Sequence, residues 1–237
     1  MISRTIVRLG VRSVFGRRRG LLLFALPVVL IGLAILVRVL VGADPDAARD
    51  TLEGLGLVVI VPLVALLATT SVLAPEIDDG SIAYLLAKPI SRHRIVVSKL
   101  VVAATCVLAF AVLPVLLAGL VLLTDEPALG LGFALASLAG GLAYCALFAL
   151  LSVMNRHAVV IGLIYLLIWE ALLGSLLSGV RWLSITRWAS ALVDEVAGVD
   201  LVVLSPAYAV VALVAVIGLG TWLTGRRLRA FNLTGDE

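Results

Sequence analysis

Six long apolar runs constrain this chain more than any other feature: roughly residues 21–41, 55–74, 97–123, 129–153, 158–179 and 205–225. Each is close to the about 20 residues an α-helix needs to cross a hydrocarbon core. Lipid offers no water to backbone N–H and C=O groups, so such runs are read as helices that close their hydrogen bonds internally. The runs use well over half of the 237 residues, and 62% of the chain is hydrophobic. What lies between them is too short for an independent soluble domain, which needs about 50 residues. The expectation is an all-α integral membrane protein, a single transmembrane domain over residues 1–237 with six spans. The first run resembles a secretion signal, but Leu21–Val37 exceeds the usual apolar core of about 7–15 residues, so it is read as a retained span.

Charge placement orients the spans. Four segments share the N-terminal face, and they carry Arg4, Arg8, Arg12, Arg17, Arg18, Arg19, Lys88, Arg92, Arg94, Lys99, Arg156, Arg226, Arg227 and Arg229. That is fourteen of the eighteen basic residues. The opposite face holds Asp44, Asp46, Asp50, Glu53, Asp125, Glu126, Asp194, Glu195 and Asp200. Positive residues stay in the cytoplasm, so both termini are expected there. The net charge of +3 is thereby explained by topology and implies no nucleic acid. Sixteen arginines against two lysines suit a high-GC prokaryotic genome, which places the protein in a plasma (inner) membrane.

Arg4, Arg8 and Arg12 recur every four residues, with Ile2, Ile6 and Leu9 on another face. Residues 1–20 therefore read either as a basic amphipathic helix on an anionic leaflet or as a charged flank of the first span; the interfacial helix is the favoured reading. Gly130, Ala134, Ser137, Gly141 and Cys145 form a stripe of small residues, which lets helices approach closely in lipid, inside the chain or between copies. Residues 181–197 repeat Trp182, Ile185, Trp188 (or Ala189), Leu192 and Val196 at near-helical spacing and predict an amphipathic helix on the outer surface. Ser205-Pro206 then opens the last span.

Residues 75–92 are a polar island between spans two and three. Pro75 suits a first helical turn, and Glu76, Asp78 and Asp79 favour its positive end. Ile82, Leu85 and Leu86 make one apolar face. Lys88-Pro89 stops the helix, and Ser91 caps the next, beginning Arg92-His93-Arg94. The pattern predicts a short cytosolic helix, a break, and a helix entering the membrane.

Catalytic signatures are absent. No G-x-x-x-x-G-K-[ST], G-x-S-x-G or H-E-x-x-H occurs, so the chain is not expected to hydrolyse ATP or to be an enzyme. His93 and His157 lack carboxylates at metal-ligand spacing, and Asp194, Glu195 and Asp200 fit no cation loop. Cys106 and Cys145 fall inside spans, without disulfide or metal spacing. Glu170 stands alone as an acid within a span, where an ionisable group is expensive and a candidate functional site. Arg38 is its candidate partner, differing in depth by roughly 8 Å at 1.5 Å per residue. The two readings are a group lining or gating a path and a buried pair fixing helix register.

The stretch from Glu76 through Gly80-Ser81, Tyr84-Leu85-Leu86 and Pro89-Ile90-Ser91-Arg92 to Ser98-Lys99 resembles the signature of bacterial ABC type-2 permeases. Ser81 stands where that family often has threonine. Six spans and the helices at either face are similar as well. The resemblance implies a permease without an engine of its own. It would pair with a second permease chain, identical or sibling, and bind two separate ABC ATPase subunits that hold ATP and Mg; this chain would bind no cofactor. The segment 75–92 would be the coupling helix, with Glu76, Asp79, Gly80, Tyr84, Leu85, Lys88, Pro89, Arg92 and Arg94 at the contact. Export is the implied direction. The competing readings are an ATPase-independent carrier or immunity-type membrane protein, and an intramembrane enzyme, for which only Glu170 stands at membrane depth.

Overall fold

The structure, a computed structural model, describes residues 18–78, 92–124, 126–155, 157–173, 179–198 and 204–230. All regular elements among them are helical. They are α1 (Arg18–Leu40), α2 (Pro45–Thr51), α3 (Val61–Asp78), α4 (Arg92–Val107), α5 (Leu113–Leu122), α6 (Pro127–Met154), α7 (Ala158–Tyr165), α8 (Ile185–Ala197) and α9 (Pro206–Ala230). Residues 1–17 of the expected N-terminal helix and residues 79–91 of the polar island lie outside the described residues.

Among the described residues, five helices are long and apolar enough to cross a membrane: Leu21–Leu40, Pro45–Leu73, Ile95–Leu122, Pro127–Met154 and Pro206–Leu228. The fifth expected span, 158–179, is represented by the shorter apolar helix Ala158–Leu173, roughly 24 Å at 1.5 Å per residue.

Among the described residues, three stretches widen into π-helix: Leu52–Ile60 between α2 and α3, Leu108–Val112 between α4 and α5, and Leu166–Leu173 after α7. Two of them have a sequence cause. Pro62 and Pro114 follow the first two stretches by two residues. Proline removes a donor and presses on the carbonyl four residues back. The ladder opens by one residue instead of breaking: the Val61 N–H reaches Gly56 O, and the Leu113 N–H reaches Leu108 O. The third stretch has no proline and contains Glu170.

The centre of the fold is α6. Its Phe133, Tyr144 and Phe148 are among the largest fully buried side chains. Glycines let four neighbours approach it. A Cβ on Gly119 of α5 would lie 3.0 Å from Gly130 Cα, and one on Gly141 only 2.5 Å from Val107 Cγ1 of α4. One on Gly140 would lie 3.1 Å from Ala189 Cβ of α8, and one on Gly220 of α9 3.0 Å from Ala146 O. The small-residue stripe thus packs helices of its own chain, and a second stripe, Gly132, Ala136 and Gly140, seats α8. The periphery is α1 and α9, whose spans are only 17% and 22% buried, against 61% for α6.

The largest difference from expectation concerns α8. An amphipathic helix on the outer surface is the sequence reading; the structure stands α8 lengthwise against α6. Thr186 meets Tyr144, Ala189 meets Gly140 and Val193 meets Gly132, so the two run antiparallel. Ile185, Thr186, Trp188, Ala189, Ser190, Ala191 and Val193 are buried. The strong amphipathicity of the segment is real, but its apolar face meets protein rather than lipid headgroups.

Candidate functional site

A helix that begins inside the protein has N–H groups with no partner and no water to supply one. Helix α8 begins this way, and two side chains answer the need. Ser184 is its N-cap and accepts the Arg187 N–H at 3.2 Å. Glu170, from the π-helical end of α7, accepts the Ile185 N–H at 3.0 Å through Oε1 and the Ser184 hydroxyl at 2.5 Å through Oε2. The Tyr165 hydroxyl adds a third bond to Oε1 at 3.2 Å. All three bonds are accepted by the carboxyl, and the side chain carries little exposure (8%). An acid at the positive end of a helix is favoured, which supplies the physical reason for a lone carboxyl at this depth. Widening the backbone at Leu166–Leu173 accompanies its placement.

A polar and aromatic collar surrounds the clasp. The Tyr144 hydroxyl shares a 2.8 Å hydrogen bond with Thr186 Oγ1, tying the first turn of α8 to α6. The short 3₁₀ turn Val180–Leu183 presents its carbonyls to indole and phenol donors. Trp188 Nε1 and Tyr208 Oη both donate to Trp182 O at 2.9 Å, and Trp169 Nε1 donates to Leu183 O at 3.3 Å. The Trp182 and Trp188 rings also meet Tyr208 edge to face. Further along α8, Arg187 Nη1 pairs with Glu53 Oε1 at 3.3 Å, and Ser190 donates to the same oxygen at 3.4 Å. The clasp therefore joins α6, α7, α8 and α9, and Glu53 adds the second span.

Arg38 is elsewhere. Its guanidinium donates to Leu122 O at 3.4 Å and to Thr124 Oγ1 at 3.2 Å, closing the C-terminal end of α5. Glu170 and Arg38 are therefore not brought together as a pair; each serves a different helix terminus. Arg49 bridges to Glu126 at 3.1 Å and to Asp46 at 3.5 Å at the same end of the bundle.

A second polar feature lies at the root of the island. The Lys99 ammonium is buried (4% exposed) and donates to Val72 O at 3.0 Å. It thus fastens α4 to α3. Of the island's candidate residues, Glu76 falls in the last turns of α3, and Arg92 and Arg94 open α4. Asp79, Gly80, Tyr84, Leu85, Lys88 and Pro89 lie outside the described residues.

Sequence reasoning singled out Glu170 but missed its partners Tyr165, Ser184 and the Ile185 N–H, and it missed the burial of Lys99. The Ser184 cap before an amphipathic run was a readable helix start.

Apolar helices of spanning length, packed through glycines around α6 with few buried polar clasps, define a multi-pass helical membrane protein. Residues 21–227 match the family described as ABC-2 family transporter protein, and the chain belongs to that family. No curated protein matched it.

Proposed function

We propose that this chain is the permease subunit of an ATP-driven exporter, working as a pair of permease chains with two separate ATPase subunits that bind ATP and Mg. The observation that carries the reading is the family match over residues 21–227, joined to the signature-like residues 76–100 between the second and third spans. The distribution of basic residues supports a plasma-membrane protein with cytoplasmic termini and the polar island on the ATPase side.

The geometry suggests how force would travel. An ATPase pressing on residues 75–92 would move α3 and α4 together, because Lys99 fastens them at Val72 O. Both pack on α6, and α6 carries α8 through Tyr144–Thr186 and the Gly140 and Gly132 contacts. Glu170 holds the inner end of α8 to α7, so it is a positioning residue for α8 rather than a group handling cargo. The switch between inward and outward access would be a rigid-body repacking of this kind. Cargo of amphiphile, lipid or peptide type fits the apolar bundle.

Site-directed crosslinking tests the contact. A cysteine at Tyr84 should crosslink to the ATPase, and Gly80→Trp should abolish the adduct. Crosslinking that persists in Gly80→Trp, or none from any position in 79–91, would remove the coupling assignment.

A further inference from the structure

Tyr165 and Glu170 are five residues apart, and the Tyr165 hydroxyl donates to Glu170 Oε1 at 3.2 Å. An α-helix turns about 100° per residue, so such a pair would stand about 140° apart around it. A π-helix closes its bonds between residues five apart and brings that spacing onto one face. The bond therefore belongs to the π winding of Leu166–Leu173. Such winding is rare and concentrates at functional sites. Nothing in the local sequence forces it here, because Leu166–Leu173 contains no proline. What offsets it is tertiary. The same carboxyl accepts the Ile185 N–H and the Ser184 hydroxyl from the start of α8, and the neighbouring Trp169 Nε1 donates to Leu183 O. These bonds form where the π winding places Glu170 and Trp169.

Winding and clasp are thus coupled. If α8 leaves its seat on α6, Glu170 loses two donors, and nothing else in the stretch opposes the ordinary α winding. Rewinding would carry Glu170 around the helix, away from Tyr165. The side chains on the other face, Leu167 and Ile168, are turned outward, 66% and 49% exposed, so they do not pin the turn. The π stretches before Pro62 and Pro114 lack this freedom, because proline cannot supply the bond to the carbonyl four residues back. We infer that Leu166–Leu173 is a two-position turn, π-wound while Glu170 holds the first turn of α8 and α-wound once α8 is released. Tyr165 and Glu170 are then its latch. The turn gives the repacking proposed above a two-state element, yet it belongs to this chain alone.

The test uses the full chain in lipid discs, with fluorotryptophan in place of tryptophan and fluorine NMR as the readout. Trp169 is assigned by the resonance lost in Trp169→Phe. Glu170→Ala should move the Trp169 resonance to a second position. Tyr165→Phe, which removes one bond of the latch, should divide it between the wild-type position and that same second one. Deleting Leu167 leaves Tyr165 and Glu170 four residues apart, the spacing that shares a face of an α-helix, so no extra residue remains to rewind. Combined with Glu170→Ala, the deletion should return Trp169 to the wild-type position, which mere loss of a contact would not do. An unmoved resonance in Glu170→Ala and Tyr165→Phe overturns the inference, as does a different position in each of them. A folded double variant that fails to restore the wild-type position overturns it as well. None of these readouts involves an ATPase, so failure here leaves the transporter reading standing.

Discussion

Replacing Glu170 with alanine removes the acceptor for three donors. Two of them, the Ser184 hydroxyl and the Ile185 N–H, are buried. A buried donor left without an acceptor costs about 1–3 kcal/mol, so Glu170→Ala should destabilise the start of α8 by about 2–6 kcal/mol. Glutamine keeps one acceptor oxygen for Ile185 and loses the strength of bonds to a carboxylate, so Glu170→Gln should cost about 1–2 kcal/mol. Hydrogen exchange of the protein in lipid discs reads this directly. Protection of the amides at 185–188 should fall by at least about 30-fold in Glu170→Ala, the lower bound expressed as a ratio. Ser184→Ala should be strongly non-additive with Glu170→Ala, because they share one network. Arg38→Ala should add to it within about 0.5 kcal/mol, because Arg38 serves α5. Unchanged protection at 185–188, or a coupling above about 1 kcal/mol between Glu170 and Arg38, would refute the reasoning.

Other consequences follow from the same packing. Lys99→Met keeps an apolar stem but removes the donor to Val72 O; ATP-driven transport in vesicles should fall while ATPase binding persists, and wild-type transport would contradict the role of Lys99 as the fastening between α3 and α4. Gly119→Ala would set a Cβ 3.0 Å from Gly130 Cα and should cost about 1–3 kcal/mol by overpacking, seen as a lower unfolding temperature in lipid discs. Gly218→Ala, with nothing within 4 Å of the new Cβ, should leave that temperature unchanged or raised. Arg187→Ala breaks a pair with Glu53 that is about a quarter to a third exposed and should cost less than about 1 kcal/mol, well below Glu170→Ala.

Much of the membrane architecture was readable because lipid imposes length and apolarity on each span. The runs at 21–41, 97–123, 129–153 and 205–225 differ from the structural helices by a few residues at their ends. The second helix starts earlier than the apolar run, since Asp44 caps it and Pro45 opens it. The position of α8 was not readable. A face of Ile185, Trp188, Ala189 and Leu192 looks the same whether it rests on a headgroup layer or in a groove of glycines. Only the matching stripe Gly132, Ala136 and Gly140, three residues of another helix, tells the two apart. For the same reason Glu170 was legible as an exception but its purpose was not: two of the groups it satisfies are a serine and a backbone N–H, fourteen and fifteen residues later. Arg38 was a reasonable partner by depth, yet an open helix end at Leu122 lay closer. The π-helical turns before Pro62 and Pro114 had a visible cause, whereas the turn at Glu170 had none in composition.

The account stands or falls on whether the chain works with a separate ATPase. The direct measurement is purification of the protein from its native membrane in mild detergent, with subunit stoichiometry by mass spectrometry. Recovery of a soluble P-loop ATPase in equal amount, lost in Gly80→Trp, is the predicted result. Recovery of the chain alone, across detergents and lipid discs, would contradict it and favour a carrier that runs without ATP.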